Sequence, residues 1–202
     1  MLLDDFLPVY DVSDTVAVVV GAGRDEVWEA LLAADLIEVG RRRPAIGMLG
    51  GLRVLPEVVS HLLHGEAPPH LPKTMTLKGT TRMPMGEGGW VLLGERPGEE
   101  IALGLVGKFW RPVIEYAEAG AGDFAAFDRP GFAKTVYSLA VDPLPGHGCL
   151  LTGTMRTATT DEHARRWFRR YWTFGVGSGA HVLVQALLDM VREEAEQGEL
   201  AL

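Results

Sequence analysis

Residues 160–202, TDEHARRWFRRYWTFGVGSGAHVLVQALLDMVREEAEQGELAL, read as one long C-terminal helix with a glycine-rich joint near its middle. The rest of the chain reads as a sheet for that helix to lie across. Thr159 followed by Glu162 has the spacing of a capping box, in which the two side chains satisfy backbone donors that a helix start leaves open. Ala164, Trp167, Phe168, Tyr171 and Trp172 follow the i, i+3, i+4, i+7, i+8 rule and make one broad apolar face, with Arg165, Arg166, Arg169 and Arg170 around the remainder. Beyond the joint, Ala180, Val184, Leu187, Leu188, Val191 and Ala195 repeat the spacing, while His181, Gln185, Asp189, Arg192 and Glu196 mark a wet side. Gly175, Gly177 and Gly179 lie between the halves. Each helical glycine costs about 1 kcal/mol relative to alanine, so the joint predicts a bend or break. At about 1.5 Å per residue the segment reaches on the order of 50 Å, and it needs a large apolar surface beneath it.

Upstream, residues 1–14 hold Pro8 and little periodicity and read as an extended lead-in. The valine-rich stretch Thr15 to Gly21 predicts a strand, Gly21-Ala22-Gly23 a sharp turn, and Asp25 and Glu26 the start of a helix through Val27, Trp28, Leu31 and Leu32. From Asp35 to Pro72, glycines and prolines cut the chain into short helices, one starting at Pro56 and reaching His64. Strand character then dominates: 75–82, 90–95, 100–108, 112–117, 124–127, 134–142 and 149–158. The stretches 86–89, 96–99 and 143–148 have the glycine and proline chemistry of turns between antiparallel neighbours. Strand, helix, short helices, a run of strands and a terminal helix give a segregated α+β order in a single domain spanning 1–202.

Three stretches resemble the START-like helix-grip superfamily, also called the Bet v 1-like or polyketide cyclase-like (SRPBCC) group: VAVVVGAGRDEVWEALL from Val16 to Leu32, ERPGEEIALGLVGKFWRP from Glu95 to Pro112, and the terminal block opening Thr159-Thr160-Asp161-Glu162. The resemblance implies a helix-grip fold, a curved antiparallel sheet wrapped around the long terminal helix, with short helices between the first strand and the rest of the sheet. It also implies a pocket between sheet and helix for a small apolar or amphipathic molecule.

Composition narrows the function classes. With 19 basic and 27 acidic residues, the net charge of -8 argues against general attraction to nucleic acid or to anionic membrane. The single cysteine, Cys149, excludes an internal disulfide and a multi-cysteine metal site. The start carries Asp4 and Asp5 without an early Lys or Arg, and no uninterrupted apolar run approaches membrane-spanning length. A cytoplasmic protein without integral membrane association is the expectation.

No motif establishes catalysis, a metal or a cofactor. Val18 to Gly23 imitates a dinucleotide fingerprint, but Glu26 stands where the third glycine belongs and the segment 40–44 is basic and turn-like; a tight turn explains it. Glu57, His61 and His64 share a helix face at metal-ligand spacing, with Glu66 or His70 near, yet Val58, Val59, Leu62 and Leu63 oppose them and a solvated face explains the pattern. Ser60 and His61 point about 100° apart and make no dyad. Gly175 to Gly179 offers an anion nest and places Ser178 between glycines, without the Gly-x-Ser-x-Gly spacing or a preceding strand. Cys149 lies two positions from His147 and reads as a buried strand residue.

Candidate ligand-binding residues follow from strand alternation. Ile101, Leu103 and Leu105 share one face, as do Thr135, Tyr137, Leu139 and Val141, and Cys149, Leu151, Gly153 and Met155. Facing inward, they line a cavity; Trp90, Phe109, Trp110, Trp167 and Trp172 add flat walls, and Arg82, Arg156 or Tyr137 the polar groups that orient a ligand. A solid core would show the same alternation. A small hydrophobic ligand is the leading expectation. A polyketide cyclase or aromatase-like enzyme using Tyr137, Arg156 or His147 is an alternative, and a protein-interaction module is another.

Overall fold

The computed structural model describes residues 1–48, 51, 55, 73–82, 89–146 and 148–199. Strands β1 (Val12–Val20), β2 (Val91–Arg96), β3 (Glu100–Gly107), β4 (Ala133–Pro143) and β5 (Cys149–Thr159) form one five-stranded antiparallel sheet in the order β1-β5-β4-β3-β2. Glycine and proline turns make hairpins of β2–β3 and β4–β5; Glu99 N–H closes the first onto the Arg96 carbonyl at 2.8 Å. β1 pairs with the last strand, from Val12 opposite Thr157 to Val20 opposite Cys149. The helices are α1 (Leu2–Phe6), α2 (Arg24–Ala33), α3 (Leu36–Arg42), α4 (Leu77–Thr80), α5 (Ala121–Phe124), α6 (Glu162–Tyr171) and α7 (Gly177–Glu199); residues 44–48 are helical as well. A π turn, Trp172–Val176, joins α6 to α7. The chain bends there by 62°, where the glycines predicted a joint, and no single helix among the described residues is long and apolar enough to cross a membrane.

Both faces of the sheet are covered. On the inner face, Val16, Val18, Val20, Ile101, Leu103, Leu139 and Leu151 pack with Val27 and Leu31 of α2 and with Val184, Leu188 and Val191 of α7. On the outer face, Leu3 and Leu7 from the α1 region join Leu93, Ala102, Val106, Phe124, Phe132 and Val136. Period-two alternation therefore feeds two cores, and β3 is buried along its whole length.

The lead-in is not simply extended. Leu2, Leu3, Phe6 and Leu7 repeat at i, i+1, i+4 and i+5 with Asp4 and Asp5 between, and α1 presses Leu3 and Leu7 onto the sheet. Its first turn is held by the buried Glu100 carboxylate, which accepts from Leu2 N–H at 2.8 Å and from Ser138 Oγ at 2.6 Å. Three expected strands are also corrected. In 75–82, the Thr76 hydroxyl accepts from Gly79 N–H at 3.2 Å and starts a helical turn, leaving Thr76 as a single bridge to Asp35. In 112–117, the turn around Pro112 leaves one bridge, Tyr116 to Gly107. In 124–127, α5 drops Phe124 into the outer core. The expected helix from Pro56 to His64 and most of the 86–89 turn lie outside the described residues.

The cap of α6 is Asp161 instead of Thr159. Asp161 accepts from Ala164 N–H at 2.7 Å and from Gly131 N–H at 2.6 Å. Thr159 still belongs to β5, and its N–H and hydroxyl both donate to Asp11, at 2.7 and 2.6 Å.

Candidate functional site

Three cross-strand rows tile the inner face at its centre: Ile101–Leu139–Gly153, Leu103–Tyr137–Met155 and Leu105–Thr135–Thr157. Where the bent α6–α7 pair spans these rows, two adjoining cavities remain. The first, about 120 Å³, is lined by Leu36, Leu77, Thr80, Trp90, Leu103, Tyr137, Leu139, Leu183, Val184 and Leu187. The second, about 160 Å³, is lined by Trp90, Leu105, Phe109, Thr135, Tyr137, Met155, Thr157, Phe168, Tyr171, Trp172, Val176 and Ala180.

Trp90 and Tyr137 belong to both walls. Their rings meet edge to face, centroids 5.3 Å apart and planes at 78°, and form the partition between the chambers. Trp90 N–H donates to the Thr80 carbonyl at 3.0 Å, so α4 sets the position of that ring. α4 is itself tied to α3 by Asp35, whose carboxylate accepts from Ile37 N–H at 2.9 Å and Met75 N–H at 2.8 Å. Burial, with the nearby Asp14 carboxylate, pushes the Tyr137 phenol well above its usual range, so it stays protonated. Among the described residues nothing hydrogen-bonds its hydroxyl. The second chamber has one further polar spot, the Thr135 and Thr157 hydroxyls paired at 2.8 Å.

Trp172, stacked on Phe168 with centroids 6.0 Å apart, is the outer wall of the second chamber. Its other side borders a polar surface groove of about 470 Å³ with Ser13, Asp14, Thr173, Ser178 and His181. There, His181 Nδ1 lies 3.0 Å from both carboxylate oxygens of Asp14, which ties α7 to β1.

Of the residues singled out from sequence, Trp90, Leu103, Leu105, Phe109, Thr135, Tyr137, Leu139, Met155 and Trp172 line the chambers. Ile101, Val141, Cys149 and Leu151 pack in the inner core instead, and Gly153 and Arg82 line neither chamber. Arg156, Trp167 and Trp110 do not line them either. Arg156 follows the inward Met155, so alternation turns it to the outer face, where it pairs with Asp4 at 2.7 Å, donates to the Leu7 carbonyl at 3.3 Å and covers the Tyr10 ring at 4.6 Å. Trp167 sits at the margin of the helix face and is 45% exposed. Trp110 packs beside the Leu105–Phe109–Phe168 cluster without reaching a chamber. Leu77 and Thr80 were missed because 75–82 reads as a strand; the signal was Thr76, a helix-capping residue four positions before Thr80.

The remaining chemistry is placed as follows. Cys149 is 2% exposed and burial raises its thiol pKa. Ser178 lies in the polar groove. The Gly21-Ala22-Gly23 turn leads into α2, and Gly21 N–H donates to Glu196 of α7 at 2.9 Å. Glu57, Ser60, His61, His64, Glu66, His70 and His147 lie outside the described residues; among those described, no three metal-ligating side chains converge.

No family model and no curated protein matches the chain. Two solved structures resemble it over most of its length. One is a conserved protein from Geobacillus kaustophilus, at 13% identity and TM-score 0.43, covering 92% of this chain and 96% of that one. The other is a protein from Thermus thermophilus, at 10% identity and TM-score 0.34, covering 93% and 99%.

Proposed function

We propose that the protein binds a small hydrophobic or amphipathic molecule between the sheet and the C-terminal helix, in a helix-grip fold of the START-like kind. The observation that carries this reading is the pair of apolar chambers meeting at Tyr137, whose protonated hydroxyl has no partner among the described residues. Burial of apolar surface supplies affinity, and one polar group orients the guest. Ligand pockets commonly measure about 300–1,000 Å³, and a dry cavity of about 150 Å³ accepts a benzene ring. Chambers of about 120 and 160 Å³ therefore suit one ring or a short alkyl chain each, and a longer guest requires Trp90 to swing out of the partition. The free buried thiol of Cys149 is in keeping with a cytoplasmic setting.

Of the side chains considered for cyclase chemistry, Tyr137 stands at the chambers, Arg156 is engaged on the outer face, and His147 lies outside the described residues. Carriage is thus the better-supported reading of the same cavity.

The test is saturable binding of an apolar fluorescent probe, followed by competition with phenols and with hydrocarbons of equal size. Tyr137→Phe is expected to weaken phenol binding by about fivefold to tenfold, the worth of one hydrogen bond, and to leave hydrocarbon binding unchanged. Absence of saturable probe binding by the folded protein refutes the reading.

A further inference from the structure

We propose that the outer side of the α6 bend docks on an anionic lipid bilayer, the source of the apolar guest; this rests on the ligand-binding reading above. Phe174, on the π turn, is 86% exposed, and Trp167, on α6 before it, is a second half-exposed ring. Arg166, Trp167 and Arg170 fall at i, i+1 and i+4 of α6, within about 100° of arc at about 100° per residue, and Phe174 follows on the π turn, four residues beyond Arg170. Arg169 flanks them, and the Arg170 guanidinium lies 5.4 Å from the Trp167 ring. Among the described residues none of these three arginines meets an acidic partner, whereas Arg165, on the inward flank, is held by Asp11 at 2.7 Å and Glu162 at 2.9 Å.

Two exposed aromatic rings ringed by three uncompensated arginines are the composition of an interfacial surface: aromatic side chains enter the headgroup layer and guanidinium groups meet lipid phosphates. The net charge of -8 does not oppose this at close range, because charges beyond a Debye length of about 8 Å are screened at physiological salt. The location fits transfer. Phe174 is carried by the π turn that also carries Trp172, the wall of the second chamber, so docking at Phe174 brings that wall to the lipid surface.

The experiment is co-sedimentation of the intact protein with phosphatidylcholine vesicles and with vesicles of phosphatidylcholine mixed with phosphatidylglycerol, alongside probe binding in solution. Partitioning is expected onto the mixed vesicles, falling as salt rises. It is expected to drop on the order of a hundredfold when Arg166, Arg169 and Arg170 are all replaced by glutamine, and about tenfold in Phe174→Ser. Neither variant should alter probe binding, which also reports that both fold. Saturable probe binding without vesicle binding overturns the docking surface and leaves the ligand reading intact. Vesicle binding without probe binding supports the surface and removes the ligand reading. Self-association of the protein that Phe174→Ser abolishes, without vesicle binding, shows that the patch serves a second copy and overturns the proposal.

Discussion

Asp161 shows how one carboxylate links distant parts of the chain, since it caps α6 through Ala164 N–H and holds the strand-entry loop through Gly131 N–H. The Ala164 bond, partly offset by burial and reinforced by Gly131, lowers the pKa of Asp161 below the usual carboxylate value. A carboxylate with a depressed folded pKa stabilises fully above its unfolded pKa of about 4, and the contribution disappears as pH falls through the folded value. Asp161→Ala is therefore expected to cost about 1–2 kcal/mol at neutral pH, with the difference from wild type narrowing below about pH 4. Urea denaturation of both proteins at neutral and acidic pH measures it; a gap that does not narrow in acid would show that the loss comes from packing. The sequence pointed to the right place and the wrong residue. Thr159, Thr160 and Asp161 are all good caps, and only the end of β5 decides among them. Arg156 was misplaced for a different reason. Alternation from the inward Met155 turns it to the opposite face, where Asp4 pairs with its guanidinium.

At the scale of elements, the joint of the C-terminal helix was legible because glycines are weak helix formers, but sequence could not separate their roles. A Cβ on Gly177 would lie 2.7 Å from Trp172 Cε2 and 2.9 Å from its Nε1, whereas one on Gly179 would meet nothing within 4 Å. Gly177 is thus the space that lets Trp172 wall the second chamber, and Gly179 is only a source of backbone freedom. Gly179→Ala is expected to stabilise by about 0.5–1 kcal/mol and leave probe affinity unchanged. Gly177→Ala should displace the indole and lower probe affinity by about tenfold. Thermal melts and probe titrations distinguish them, and equal behaviour of the two variants would remove Trp172 from the cavity wall. Strong periodic elements, β1, β3, β4, β5 and α7, were readable within a few residues. The segments 75–82, 112–117 and 124–127 were not, because their short apolar runs bury one or two side chains by turning.

Taken as a whole, the molecule assigns different tasks to the two faces of one sheet. The outer core, with Phe124 and Phe132 essentially inaccessible, is closed by α1 and α5 and has no part in the chambers. The inner face gives up close packing around Tyr137, so some of its apolar residues bound empty space. Sequence showed that alternating faces exist. It could not show which face is filled, because a packed core and a cavity wall use the same side chains. Truncations on each face make the division measurable. Phe124→Ala is expected to cost about 3–5 kcal/mol and to leave probe affinity as it was, since the hole opens on the far side of β3. Leu139→Ala, on the wall of the first chamber, is expected to cost about 2–3 kcal/mol, the low end for such truncations, because one side of the leucine already faces space. It should also admit a probe one ring larger than wild type accepts. Denaturation curves with probe titrations of graded size read both quantities from the same samples. If Phe124→Ala changes the size preference as Leu139→Ala does, the two faces are mechanically coupled through β3 and the division of tasks fails.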